Sequence, residues 1–223
     1  MIAPMSLEAI QIETGPAPTA SIIVLHGLGA DGNDFVPFAQ EIDLRSRGNV
    51  RWVFPHAPTM PVTINGGYVM RAWYDILGME LVRREDEAGL RRSQAAVQAI
   101  IDHEISRGIA ANRIVLAGFS QGCAMTLLAG LRSPQRLAGL VGMSGYLPLA
   151  DKTAAERSTA NEHVPIFLAH GRADPVVPYD RGAASRDALV ALGYPVEWHE
   201  YPMQHSVCGQ EIADLQRWLL RVL

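Results

Sequence analysis

The stretch from Ile114 to Leu128, Ile-Val-Leu-Ala-Gly-Phe-Ser-Gln-Gly-Cys-Ala-Met-Thr-Leu-Leu, constrains this chain more than any other. Ile114 to Ala117 have the length and apolar character of a buried parallel strand, and the alanines and leucines from Cys123 onward have the composition of a helix. Gly118-Phe119-Ser120-Gln121-Gly122 must therefore turn strand into helix within very few residues. So tight a turn forces Ser120 into a strained backbone conformation, and the flanking glycines remove side chains that would collide with the strand and the helix. The hydroxyl then stands at a helix N-terminus, where developing negative charge is stabilised. The five-residue pattern is weak alone; its strand-turn-helix setting makes it read as a nucleophile elbow.

Size and charge narrow the setting. At 223 residues and 48% hydrophobic, with no long polar or charged block, the chain can bury one sizeable core, so residues 1–223 are expected to form a single domain. A formal charge of −4 without a Lys/Arg cluster gives no footprint for nucleic acid or an anionic membrane surface. The first residues lack a basic start and a continuous apolar segment, and no run approaches the ~18 apolar residues of a membrane span. A soluble, cytoplasmic protein without stable membrane insertion is expected. Cys123 and Cys208 make no disulfide framework and are expected as free, mostly buried thiols. Neither has a second cysteine at metal spacing, and His103-Glu104 is followed by Arg107 where a zinc helix needs its second histidine, so no metal site is expected.

Other strand ends carry chemistry too. Leu7 to Glu13 alternates like a half-buried strand, and Ser21 to His26 is a near-continuous apolar strand ending in Gly27-Leu28-Gly29-Ala30-Asp31-Gly32. That glycine spacing after a strand is also a dinucleotide fingerprint, but the next strand, Val50 to Phe54, ends in Pro55-His56-Ala57-Pro58 rather than in an acidic ribose ligand. A strand followed by His26-Gly27 and a flexible loop instead suits presentation of a backbone N–H to an oxyanion. Between the two strands, Phe35, Phe38, Ala39 and Ile42 at helical spacing predict a helix over Asp34 to Arg45. From Thr59 to about Asp86 the pattern breaks down, and its apolar residues either plug the core edge or form a substrate wall.

The second half repeats the alternation of strand and helix. Asp86 to Arg107 reads as an amphipathic helix closed by Gly108, Leu137 to Ser144 as a strand, and Pro165 to His170 as another, with Asp174-Pro175 just beyond it. Tyr179 to Leu192 reads as helix, Val196 to Tyr201 as a last strand, and the segment carrying Ile212, Leu215, Leu219 and Val222 as a closing helix. In a parallel sheet the loops after the strands open at one edge, so Ser120, Asp174 and His205 can meet despite their separation. A serine hydroxyl needs an imidazole to take its proton and a carboxylate to fix that imidazole's tautomer. Of the seven histidines, His205 alone follows the last strand in a loop.

These stretches together resemble the carboxylesterase and acyl-protein thioesterase family of small lidless α/β-hydrolases. The resemblance spans nearly the whole chain: His26-Gly27-Leu28-Gly29 with Asp31-Gly32, Pro55-His56-Ala57-Pro58, Trp73-Tyr74-Asp75, Gly118 to Gly122, Ser144-Gly145-Tyr146-Leu147-Pro148, His170-Gly171 through Asp174-Pro175-Val176-Val177-Pro178, and His205. It departs at Gln204, where the family often has glycine. It implies an α/β-hydrolase fold, a mostly parallel central sheet with helices on both faces. It also implies Ser120 as nucleophile, His205 as base, Asp174 as its partner, and the backbone N–H groups of Leu28 and Gln121 as oxyanion donors. The expected activity is hydrolysis of small-molecule esters or thioesters of short to medium acyl chains, without cofactor. A peptidase, a lactonase or a non-catalytic receptor of the same fold are the alternatives, and a homodimer stays open. If the 59–86 stretch lies against the elbow, Trp73, Leu77 and Met79 form one apolar wall of the site, and Val176 and Val177 another.

Overall fold

A computed structural model describes residues 7–78 and 85–223. Its strands are β1 (Ala9–Glu13), β2 (Ala20–Leu25), β3 (Val50–Pro55), β4 (Thr59–Val62), β5 (Tyr68–Arg71), β6 (Ile114–Phe119), β7 (Gly139–Met143), β8 (Ile166–Gly171) and β9 (Val196–Tyr201). Its helices are α1 (Phe38–Glu41), α2 (Glu87–Ser106), α3 (Gln121–Arg132), α4 (Ala150–Glu156), α5 (Tyr179–Ala191) and α6 (Gly209–Val222). The predominantly apolar runs become β2, β3, β6, β7 and β8, buried along their length except at Phe119. Strands covered on both faces lose the polar alternation that a wet face would impose. The half-buried sequences of β1 and β9 take the two edges instead.

The main sheet has seven strands in the order β1-β3-β2-β6-β7-β8-β9, parallel except for the antiparallel β1–β3 pair. Alternate residues of each strand feed opposite cores. Ile23, Leu25, Leu116 and Leu140 point with α2, α3 and α5 to one side, whereas Ile22, Val24, Val115 and Val141 point with α1 and α6 to the other. Trp52, Phe54, Trp73 and Phe167 are among the largest fully buried side chains. Each such burial stabilises the fold by about 2–3 kcal/mol relative to exposure. Because the central strands are parallel, their C-terminal ends, and the loops carrying Gly27, Ser120 and Asp174, gather at one edge.

Two expectations need correcting. The helix over Asp34 to Arg45 is only the single turn of α1, preceded by a 3-10 turn over Gly32–Phe35 and followed by another over Arg45–Arg47. Pro37 is the cause: it has no N–H to donate and its ring obstructs the preceding turn, so a continuous helix cannot pass through it. The stretch from Thr59 is not structureless either, for β4 and β5 form an antiparallel hairpin turned at Asn65-Gly66-Gly67, with Pro61 opposite Val69. A proline argues against a strand in sequence, but a two-stranded ribbon has edges on which the missing N–H is tolerated.

Candidate active site

The turn after β6 is as sharp as its glycines require. Ser120 has φ 56° and ψ −115°, outside the regions an L-residue prefers, a conformation costing about 1–3 kcal/mol. Its backbone N–H donates to the Met143 carbonyl at 2.8 Å, which anchors the strained residue to the end of β7. A Cβ on Gly118 would strike the Gly122 backbone, and one on Gly122 would strike the carbonyl of Leu25, so α3 packs against β2 and β6 at backbone distance. Ser120 is thereby held at the N-terminus of α3, next to the end of β2.

His205 reaches Ser120 from the loop between β9 and α6. Its Nε2 lies 2.9 Å from Ser120 Oγ and its Nδ1 lies 2.7 Å from Asp174 Oδ2. An ionised carboxylate only accepts, so Nδ1 carries the proton and Nε2 is left to accept from the serine hydroxyl. Asp174 sits past the end of β8 with its side chain wholly buried, and its other oxygen accepts from the N–H groups of Val176 and Val177 at 2.8 and 2.9 Å. His170 Nε2 donates to the Val177 carbonyl at 2.8 Å, bracing the same loop. Phe119 lies 4.8 Å from the His205 ring, centroid to centroid, and limits its swing. The arrangement can move a proton from Ser120 to an imidazole whose emerging charge faces a buried carboxylate.

Leu28 lines the same cleft as Ser120, and Gln121 follows Ser120 in the chain. Within the Gly27 to Gly32 loop, the N–H groups of Gly29, Ala30 and Gly32 are bonded to Arg71, Gly27 and His56, whereas the Leu28 N–H has no backbone acceptor among the described residues. Gln121 is the first residue of α3, and the first N–H groups of a helix have no partner within it. His26 is fully buried and bonded on both ring nitrogens, donating from Nδ1 to the Gly27 carbonyl at 2.7 Å and accepting at Nε2 from the Ala57 N–H at 3.0 Å. Burial pushes its pKa down, more than the Gly27 hydrogen bond pulls it up, so the ring is neutral.

A cleft of about 680 Å³ opens over Ser120 and His205, lined by Phe35, Phe38, Phe119, Val176, Val207 and Ile212. Sequence reasoning found one of these apolar residues, Val176, which is 57% exposed. Val177 is buried, its amide and carbonyl both engaged by the loop contacts described above. Trp73 is fully buried and presents no surface to a substrate. Leu77 is exposed but lies in a separate crevice with Ile76, Glu85 and Tyr146, and Met79 falls outside the described residues. Phe35 and Phe38 were read as the core-facing side of a helix; the break at Pro37 turns them toward the cleft as well. Cys123 is buried, and that burial pushes its thiol up to about 12, which leaves it inert beneath the elbow. Among the described residues no group of His, Cys, Asp and Glu is placed to hold a metal ion, and no helix is long and apolar enough to cross a membrane.

Comparison with known proteins gives the family and the fold. Residues 7–223 match the model of a family described as phospholipase/carboxylesterase. The chain is 41% identical over 216 residues to acyl-protein thioesterase 1 of Yarrowia lipolytica, covering 95% of each chain. It is 43% identical over 210 residues to the Neurospora crassa protein of that name, covering 90% of this chain and 86% of the other. Among solved structures, acyl-protein thioesterase 2 of Zea mays superposes with a TM-score of 0.86 at 28% identity, covering 97% of this chain and 99% of that one.

Proposed function

The chain belongs to the phospholipase/carboxylesterase family, whose members of known name include esterases and thioesterases, and we propose that it hydrolyses esters or thioesters by two-step acyl transfer through Ser120. His205 takes the serine proton as Ser120 Oγ attacks the carbonyl carbon, and returns it to the departing alcohol or thiol. Asp174 fixes the tautomer that makes this possible and stabilises the imidazolium that forms. The backbone N–H groups of Leu28 and Gln121 hold the oxyanion of the tetrahedral intermediate. Water, deprotonated by the same imidazole, then attacks the acyl-enzyme and releases the acid, leaving Ser120 protonated again. No cofactor enters any step.

The observation that carries this reading is the continuous line of hydrogen bonds from Asp174 through His205 to a serine on a strained strand-to-helix turn. The experiment that tests it is covalent labelling with a fluorophosphonate. Wild-type protein should label stoichiometrically and hydrolyse a short p-nitrophenyl ester, and Ser120→Ala should do neither. Hydrolysis that survives the substitution would place the nucleophile elsewhere.

Within the same reading, residues 1–223 act as one domain, in the cytoplasm, on short to medium acyl chains. Chain length is supported by what stands between β7 and β8: the seven residues of α4 and one 3-10 turn, too little for a cap over the cleft. The names of the fungal relatives make an S-acyl protein thioester the first natural substrate class to assay beside simple esters.

A further inference from the structure

The two N–H groups assigned to the oxyanion belong to segments that meet only in space, one in the loop after β2 and the other at the start of α3. A tetrahedral oxyanion rewards donors at one spacing and one angle, so something must hold these segments in register. The two already pack closely where Gly122 meets the Leu25 carbonyl, and Trp73 adds a hydrogen bond to each. The indole Nε1–H of Trp73 donates to the His26 carbonyl at 2.9 Å, and the backbone N–H of Trp73 donates to Gln121 Oε1 at 2.8 Å. The Gln121 amide closes the clamp by donating from Nε2 to the Tyr74 carbonyl at 2.7 Å. The Trp73 carbonyl in turn accepts from Ser93 Oγ on α2, which ties the strut to the core.

The orientation follows through the peptide geometry. The His26 carbonyl is held by Trp73 and the Gly27 carbonyl by the His26 ring, and no cis peptide occurs among the described residues. In a trans peptide the N–H points opposite to the C=O, so fixing the Gly27 carbonyl aims the Leu28 N–H the other way. Gln121 is only 3% exposed and its side-chain amide is bonded at both ends, so the first turn of α3 cannot rotate without breaking buried hydrogen bonds. Trp73 is itself fully exposed to nothing but protein, and a buried indole N–H without its acceptor is costly.

We propose that Trp73 is a positioning residue for the hydrolytic reaction, a strut that sets the separation and angle of the Leu28 and Gln121 oxyanion donors. The proposal rests on the oxyanion assignment made above. It gives a function to a residue that touches no substrate and lines no part of the cleft.

The test uses two variants of the full chain. Trp73→Phe keeps an aromatic ring and removes the indole N–H; Gln121→Met keeps side-chain length and removes the amide. Each is measured for kcat and KM on a p-nitrophenyl ester, for Tm, and for affinity toward an alkyl boronic acid and toward the carboxylic acid product. The boronic acid bonds to Ser120 as a tetrahedral anion, whereas the product does not demand that geometry. Displacing a donor by a fraction of an ångström should lower kcat about tenfold to a hundredfold with KM unchanged. Boronate affinity should fall by the same factor and product affinity should hold. The double variant should lose less than the product of the two single losses, because both break one strut. Equal losses of boronate and product affinity, or a fall in kcat that follows Tm alone, would reduce Trp73 to a packing residue and overturn the proposal. If wild-type protein bound the boronate no more tightly than the product, the oxyanion assignment itself would fall, and the strut with it.

Discussion

Glu211 offers the sharpest test of the energetics beneath the site. It is the third residue of α6, fully buried, and neither carboxyl oxygen has a hydrogen-bond partner among the described residues. Burial pushes its pKa from 4.5 up to about 8; the neighbouring Cys208 N–H, which closes no hydrogen bond to it, pulls the other way, and the charge of Asp214 adds to the rise. Asp214 itself stays ionised despite its burial, because Tyr201 donates to it at 2.8 Å and Gln210 and Arg217 face it as well. Below pH 4.5 Glu211 is protonated in both the folded and the unfolded chain and adds no pH dependence. Between 4.5 and about 8 the unfolded chain releases the proton and the folded chain retains it, so the unfolded state binds fewer protons and stability falls as pH rises. At about 1.4 kcal/mol per pH unit the full span sets a ceiling of about 5 kcal/mol, reached near pH 8 and level beyond it. Glu211→Gln removes the titration. Whatever the buried amide costs is independent of pH and cancels when one variant is compared across pH. The stability of Glu211→Gln minus that of wild type, from urea unfolding at pH 5 and pH 8, should therefore rise by several kcal/mol toward the alkaline end. A difference that is flat between those two pH values would mean that Glu211 is ionised in the folded protein and that the burial argument is wrong.

Three further outcomes follow from the geometry. Asp174→Asn should fold and bind substrate but lose about 10³–10⁴ in kcat, because an amide in contact with His205 Nδ1 favours the tautomer that cannot accept from Ser120; near-wild-type turnover would move the acid elsewhere. Ile212→Ala should lower kcat/KM for octanoyl esters relative to acetyl esters, since each methylene that loses its apolar wall forfeits up to about 0.8 kcal/mol; an unchanged ratio would show that the acyl chain does not lie over Phe38 and Ile212. Gly122→Ala, which drives a methyl group into the Leu25 carbonyl, should lower stability by at least about 1–3 kcal/mol in thermal unfolding, and wild-type Tm would contradict the backbone-distance packing of α3 on β2.

What could be read from the residues alone, and what could not, divides along a physical line. The parallel core was legible because strands buried on both faces announce themselves as largely apolar runs, and the meeting of Ser120, Asp174 and His205 was legible because each sits in a short segment just beyond a strand of the sheet. Pro37 and Pro61 carried equally local information, but its meaning depended on surroundings: one broke an expected helix, and the other did not prevent an expected-to-be-irregular segment from pairing as a ribbon. Trp73 could not be placed at all from its neighbours in sequence. Apolar surroundings suit a substrate wall and a core plug equally, and what separates them is an N–H bonded to His26, 47 residues away, and another bonded to Gln121, 48 residues away. The groups proposed to react are thus marked by local chain geometry, while the group proposed to hold them in place is marked only by contacts the fold creates. A substitution at Trp73 is for that reason the more informative experiment on how this site is held, since its effect on the proposed oxyanion donors can come only through the folded structure.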